Sequence, residues 1–173
     1  TGQPFESYVE KELFSPLGME TSTFYPDERL AKGYVKGSSP GYQNLGYHAS
    51  GAVNSSPSEM AALLLLFLNQ GHYGQRQILK PESIYRMETP STSLAAQNGI
   101  RTGYGLCLNT TIQDGFLVRE HSGSIGGYRS HFEYLPQCGK GFVLLINSTS
   151  TAALSRLARI VRQHLVKDLP QSQ

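Results

Sequence analysis

His121, Ser122, Gly123 and Ser124 stand in a row, with Gly126, Gly127 and Tyr128 close behind them. An imidazole and two hydroxyls beside backbone that glycine leaves bare can donate, accept or relay a proton while a ligand lies against the main chain. The same residues also suit a plain antiparallel meander with a glycine-rich turn, because such turns are common in β proteins. Other chemistries leave fewer traces. Of the five histidines, at 48, 72, 121, 131 and 164, no two have the helical spacing of a metal-binding pair. His121 and His131 fall on strand-like runs near glycines, and only His121 is followed by bare backbone. Cys107, in a strand-like run, and Cys138, in a hairpin loop, show neither metal-ligand spacing nor a disulfide framework. A Gly-x-Ser-x-Gly elbow, His-Glu-x-x-His, a phosphate-cradling Gly-x-x-x-x-Gly-Lys and a dinucleotide Gly-x-Gly-x-x-Gly are all absent. Nothing in the residues calls for a metal or an organic cofactor.

The elements that would position this row follow from periodicity. Phe116, Leu117 and Val118 lead into His121 as a strand, and Ser130 to Leu135 alternates polar and apolar like a half-buried strand. Pro136 to Lys140 reads as a hairpin loop. Phe142 to Ile146 is a continuous apolar run, predicting a central strand buried on both faces. Tyr104 to Leu108 and Phe116 to Glu120 flank a polar connection and read as a hairpin, and residues 89–103 read as a loop. Upstream, Pro4 to Leu13 carries Phe5, Tyr8, Val9 and Leu13 at amphipathic helix spacing, and residues 15–19 end that helix. Residues 20–50 form a long irregular excursion, which in a compact domain tends to be functional. Ser56 as N-cap, Pro57 at the first helical position and Glu59 closing a capping box start a helix running to about Asn69, with Gly71 as its stop. Met60, Leu63, Leu64, Phe67 and Leu68 cover much of its circumference. A second short helix spans Pro81 to Met87. The last helix, Thr151 to Val166, shows Leu154, Leu157, Ala158, Val161 and Leu165 on one face, with Arg156, Arg159, Arg162, Gln163 and Lys167 mostly elsewhere as a solvated surface. Helices, then a hairpin and meander, then a closing helix predict an α+β fold with an antiparallel sheet.

Composition narrows the classes. A chain of 173 residues with 39% hydrophobic content holds one domain with a real core. The net charge of +2 comes from scattered basic residues, so nucleic acid is not an expected partner. The longest apolar stretch, Met60 to Leu68, is about half of what a bilayer crossing needs. The chain begins Thr1-Gly2-Gln3-Pro4 without an initiator Met, consistent with a piece of something longer.

Three blocks carry a resemblance. Phe14-Ser15-Pro16-Leu17-Gly18-Met19 with Thr21 or Thr23 after it, Tyr47-His48-Ala49-Ser50-Gly51 leading to Ser56-Pro57-Ser58-Glu59-Met60, and His121-Ser122-Gly123-Ser124 before Gly127-Tyr128 resemble the serine β-lactamase family. More closely, they resemble class C β-lactamases and penicillin-binding-protein-like serine hydrolases. In that family the nucleophile is the serine of a Ser-x-x-Lys motif and a Tyr-x-Asn or Ser-x-Asn completes the acid–base set. This sequence contains no Ser-x-x-Lys, and its Tyr42-Gln43-Asn44 falls after the Pro16–Met19 block rather than before it.

The resemblance therefore implies that residues 1–173 form the C-terminal part of such a hydrolase, with the missing N-terminal half of the same fold as partner. Alone, this chain would be inactive. His121-Ser122-Gly123 is similar to the family's Lys-Thr-Gly strand: His121 would act in catalysis, Ser122 would bind a substrate carboxylate, Gly123 would keep the groove open, and Ser124 would donate its backbone N–H to an oxyanion hole. A lysine is cationic at pH 7, whereas an ordinary imidazole, with a pKa of about 6.5, is mostly neutral. That departure implies an esterase, amidase or peptidase acting on a small-molecule or peptide-like acyl substrate more than an efficient β-lactamase. The alternative is a non-catalytic penicillin-binding-like module that captures a peptide or cell-wall ligand along the strand. The resemblance makes an extracytoplasmic or periplasmic setting plausible.

Overall fold

The computed structural model describes residues 2–42, 46, 48–91, 94–99 and 102–169. Its first helical segment runs further than the amphipathic pattern predicts. It comprises α1 (Phe5–Val9), a π-helical turn (Glu10–Phe14) and α2 (Ser15–Leu17), and ends at Gly18 in the left-handed conformation (φ 69°). Pro16 lacks an N–H and its ring crowds the carbonyl one turn back. The turn before it is widened, with the Ser15 N–H bonding Glu10 O.

Helix α3 (Pro57–Leu68) starts where the sequence places it, with the Ser56 hydroxyl accepting from the Glu59 N–H at 3.3 Å. The Glu59 carboxylate departs from the expected capping box. It accepts from the Thr21 N–H (2.8 Å), the Thr21 hydroxyl (2.7 Å) and the Ser22 hydroxyl (2.6 Å), tying the long excursion to the helix start. Helix α3 has two buried sides. Ala62 and Leu66 pack with Phe14, Leu17, Met19 and Phe24, while Leu64 and Phe67 pack with Ile84, Leu108, Phe132 and Tyr134. Leu66, which the periodicity does not single out, is fully buried.

A two-residue pair, β1 (His72–Tyr73) and β2 (Arg76–Gln77), follows, then α4 (Pro81–Glu88) and α5 (Leu94–Gln97), the latter inside the stretch expected to be loop. The main sheet is β3 (Gly103–Tyr104), β4 (Asn109–Gln113), β5 (Phe116–Ile125), β6 (Tyr128–Leu135) and β7 (Lys140–Ile146), antiparallel throughout and in sequence order. With α6 (Thr151–Val166) closing the chain, the α+β expectation holds.

Two strand expectations need correction. The partner of Phe116 to Glu120 is Asn109–Gln113, not Tyr104 to Leu108. Asp114 (φ 52°) and Gly115 (φ 80°) form the two-residue turn between them, a backbone suited to Asp-Gly. Cys107 lies in a bend at φ 86°, outside any strand. Strand β7 is at the edge of the five-stranded sheet, not its centre. Its residues from Gly141 to Ile146 are half-buried because α3 covers one face and α6 the other, so a continuous apolar run is satisfied without a second strand neighbour.

Helix α6 buries Leu154, Ala158 and Arg162, while Leu157 is 42% exposed. The stripe is thus rotated from the expected one, and an arginine takes an inward position because Glu133 and Asp114 are there to receive it. Among the described residues, no helix is long and apolar enough to cross a membrane.

Candidate active site

All four predicted site residues lie consecutively on β5, in the half of that strand nearest its turn into β6. Strand β4 pairs with β5 only from Phe116 to Glu120, whereas β6 pairs with it up to Ile125. From His121 to Ile125, β5 is therefore hydrogen-bonded on one side only among the described strands. Antiparallel strands alternate residues that bond inward with residues that bond to the other side. Counting from the Asp114-Gly115 turn, Phe116, Val118 and Glu120 bond toward β4; counting from Gly126-Gly127, Ile125, Gly123 and His121 bond toward β6. Both counts turn the backbone N–H and C=O of Ser122 and Ser124 toward the open edge.

Side chains alternate across the same strand. His121 and Gly123 share the α3 side with Phe132 and Ser130, their partners on β6, while Ser122 and Ser124 share the α6 side with His131 and Arg129. His121 is exposed, its ring 6.2 Å from that of Tyr104. A Cβ on Gly123 would come within 2.3 Å of the Ser130 hydroxyl, so the glycine accommodates a neighbouring side chain as well as an approaching ligand. His121 and Ser122 thus face opposite sides of the sheet at its open edge.

On the α6 side the serines face a cavity of about 450 Å³, lined in part by Glu120, Ser122, Ser124, Arg129, His131 and Arg162. Behind Ser122 runs a polar chain that motif reading missed. Ser122 Oγ is 2.9 Å from His131 Nδ1, His131 Nε2 is 2.9 Å from Glu133 Oε2, and Arg162 donates to that oxygen at 2.7 Å and to Asp114 at 2.9 Å. Burial disfavours the charged Arg162, but its bonds to Asp114 and Glu133 outweigh that cost and leave the guanidinium pKa raised. The signal available in the sequence was the alternation of His131, Glu133 and Leu135 on one face. What it lacked was any sign that an arginine from α6 would meet them.

On the opposite side of the sheet a second buried set, Tyr134 donating to Glu88 (2.6 Å) with Arg119 paired to Glu88, braces the strand beneath His121. Burial and the Glu88 carboxylate push the Tyr134 hydroxyl pKa strongly up.

Described residues of the other sequence blocks have packing and pairing partners. Leu17 and Met19 are core residues. His48 pairs with Glu6 and stacks on Phe24 at 5.6 Å, pinning the excursion to α1. Gln43, Asn44 and Tyr47 lie outside the described residues.

A family model described as Beta-lactamase matches residues 1–166. The chain belongs to the beta-lactamase family. A D-aminopeptidase of Gluconobacter oxydans (strain 621H) is 24% identical over 163 residues, covering 90% of this chain and 29% of that protein. Among solved structures, the octameric penicillin-binding protein homologue from Pyrococcus abyssi is 29% identical with a TM-score of 0.73, covering 98% of this beta-lactamase-family chain and 40% of its own. A class C beta-lactamase (16% identical, TM-score 0.74, 99% and 53% covered) and the D-amino acid amidase from Ochrobactrum anthropi SV3 (19%, 0.73, 96% and 52%) share the fold. The chain thus spans between about a third and about half the length of these relatives.

Proposed function

We propose that this chain is the C-terminal part of a serine hydrolase of the beta-lactamase family that works through an acyl-enzyme as an esterase, amidase or peptidase. The observation that carries this reading is the open edge of β5 from His121 to Ile125, with the Ser122 and Ser124 backbone groups turned outward. In the proposed arrangement an acyl substrate lies along this edge. Ser124 N–H supplies one oxyanion donor, Ser122 Oγ contacts the substrate's polar end, and Gly123 lets the chains approach closely. His121 stands where a charged anchor would hold an anionic antibiotic and offers a hydrogen bond instead, favouring ester or amide substrates. The nucleophile and its lysine come from the remainder of the protein, which also supplies a neighbour for the outer edge of β7. The D-aminopeptidase and the D-amino acid amidase among the relatives support an amide or peptide-like acyl substrate.

The test is a fluorophosphonate probe applied to the full-length protein from its native source, with the modified residue located by peptide mass spectrometry. The expected adduct is on a serine upstream of Thr1. A folded protein without an adduct would instead favour a module that captures a peptide or cell-wall ligand by edge pairing. An adduct on Ser122 or Ser124 would move the nucleophile into this chain.

A further inference from the structure

At and just beneath the wall of the cavity between β4–β6 and α6 lies a second set of groups that the hydrolase reading does not use. Glu120, His131 and Glu133 each present one donor atom, and these atoms all lie within 4.8 Å of one another. His131 Nε2 is 2.9 Å from Glu133 Oε2 and 3.9 Å from Glu120 Oε2. The set is fixed from behind. Asn109 Nδ2 donates to Glu120 Oε1 at 3.1 Å, which leaves Oε2 on the side of the imidazole. Ser122 Oγ holds the other ring nitrogen of His131, the kind of hydrogen bond that fixes the orientation of a metal-bound histidine.

An independent observation points to a ligand. Glu133 is fully buried, and while its Oε2 is bonded to His131 and Arg162, its Oε1 accepts no hydrogen bond. A buried carboxylate oxygen without a donor is costly unless a cation or a water compensates it. Charge counts in the same direction. Three carboxylates, Glu120, Glu133 and Asp114, outnumber the two guanidinium groups beside them, Arg129 and Arg162.

We propose that Glu120, His131 and Glu133 bind a divalent transition-metal ion, with Zn²⁺ as the fitting member of the class. One imidazole and two carboxylates form a borderline N/O donor set that suits Zn²⁺ better than Mg²⁺ or Ca²⁺, which favour oxygen ligands alone. The cavity leaves room for water to complete the coordination. The site sits one side chain behind Ser122. Metal on Nε2 places the imidazole proton on Nδ1, which then donates to Ser122 Oγ and frees the Ser122 O–H to donate outward to a ligand at the β5 edge.

The experiment uses the full-length protein stripped by chelator and titrated with Zn²⁺ by calorimetry, with Co²⁺ as a probe whose visible absorption reports its ligands. The proposal expects one Zn²⁺ whose affinity falls at least tenfold in both Glu120→Gln and His131→Asn, with loss of the corresponding Co²⁺ absorption. Glu120 is partly exposed and Glu120→Gln is isosteric, so that variant keeps the reading available if a change at buried His131 disturbs folding. No binding overturns the proposal, as does binding that Glu120→Gln leaves unchanged. Because the readout is metal binding, it stands apart from the fluorophosphonate result: a protein with no acylated serine can still bind Zn²⁺ here, and an acylated one can fail to.

Discussion

His121 and Ser122 are neighbours in sequence and face opposite sides of a sheet, so their contributions can be separated. His121→Lys replaces an imidazole by an ammonium that stays charged across the neutral range. In the full-length enzyme this exchange is expected to change the shape of the pH profile of kcat/KM and to improve turnover of carboxylate-bearing substrates; an unchanged profile removes His121 from the mechanism. Ser122→Ala should cost about tenfold in kcat/KM, corresponding to about 1.4 kcal/mol for one lost hydrogen bond, with the fold intact by circular dichroism. The row from His121 to Ser124 was legible because glycine and small polar residues mark places where backbone is approached. The chain from Ser122 through His131 and Glu133 to Arg162 was not. Its members are 9, 2 and 29 residues apart, and Arg162 looks like a solvated charge until the sheet beneath α6 is known.

Helix α3 packs on β6 and β7, and Glu59 ties its start to Thr21 and Ser22. Burial opposes ionisation of Glu59, but the Ser22 and Thr21 donors outweigh it and the net pKa is lowered. A carboxylate with a depressed pKa in the folded state stabilises above its unfolded value and loses that contribution as pH falls through the folded value. The melting temperature should therefore drop from about pH 4.5 downward, less steeply in Glu59→Gln, which is already less stable at pH 7; parallel melting curves across pH would show that Glu59 is not the group responsible. Leu66→Ala at the fully buried turn of α3 should destabilise by about 2–5 kcal/mol in chemical denaturation. The start of α3 was readable from Ser56 and Pro57, whereas the use of Glu59 was not, since its partners lie 37 and 38 residues away. Strand β4 was missed because its residues are mostly polar, although Asp114-Gly115 was already a hairpin signal.

Among the described strands, the outer edge of β7 has no strand neighbour. Strand β7 is apolar, seven residues long and at the sheet edge, with backbone groups that would template pairing with another strand. Expressed alone, residues 1–173 are expected to associate or precipitate and to hydrolyse nothing, and co-expression with the upstream half should restore a soluble, probe-reactive species on gel filtration. A monomeric, well-behaved chain that ignores the upstream half would argue against the division proposed for the protein. Part of the excursion after residue 20, which no periodicity organises, ends up clamping the end of the sheet where β5 turns into β6 and β7 leaves it. Tyr34 N–H bonds the Gly127 carbonyl at 3.2 Å, the Tyr128 hydroxyl donates to Ala31 O at 2.7 Å, and a Cβ on Gly127 would come within 2.9 Å of Gly33. The hairpin tip is thus anchored from 97 positions away along the chain, like a beam clamped at its free end. On the function proposed above, an edge held this way would already be in its working shape when a ligand arrives, leaving little ordering entropy to subtract from the affinity.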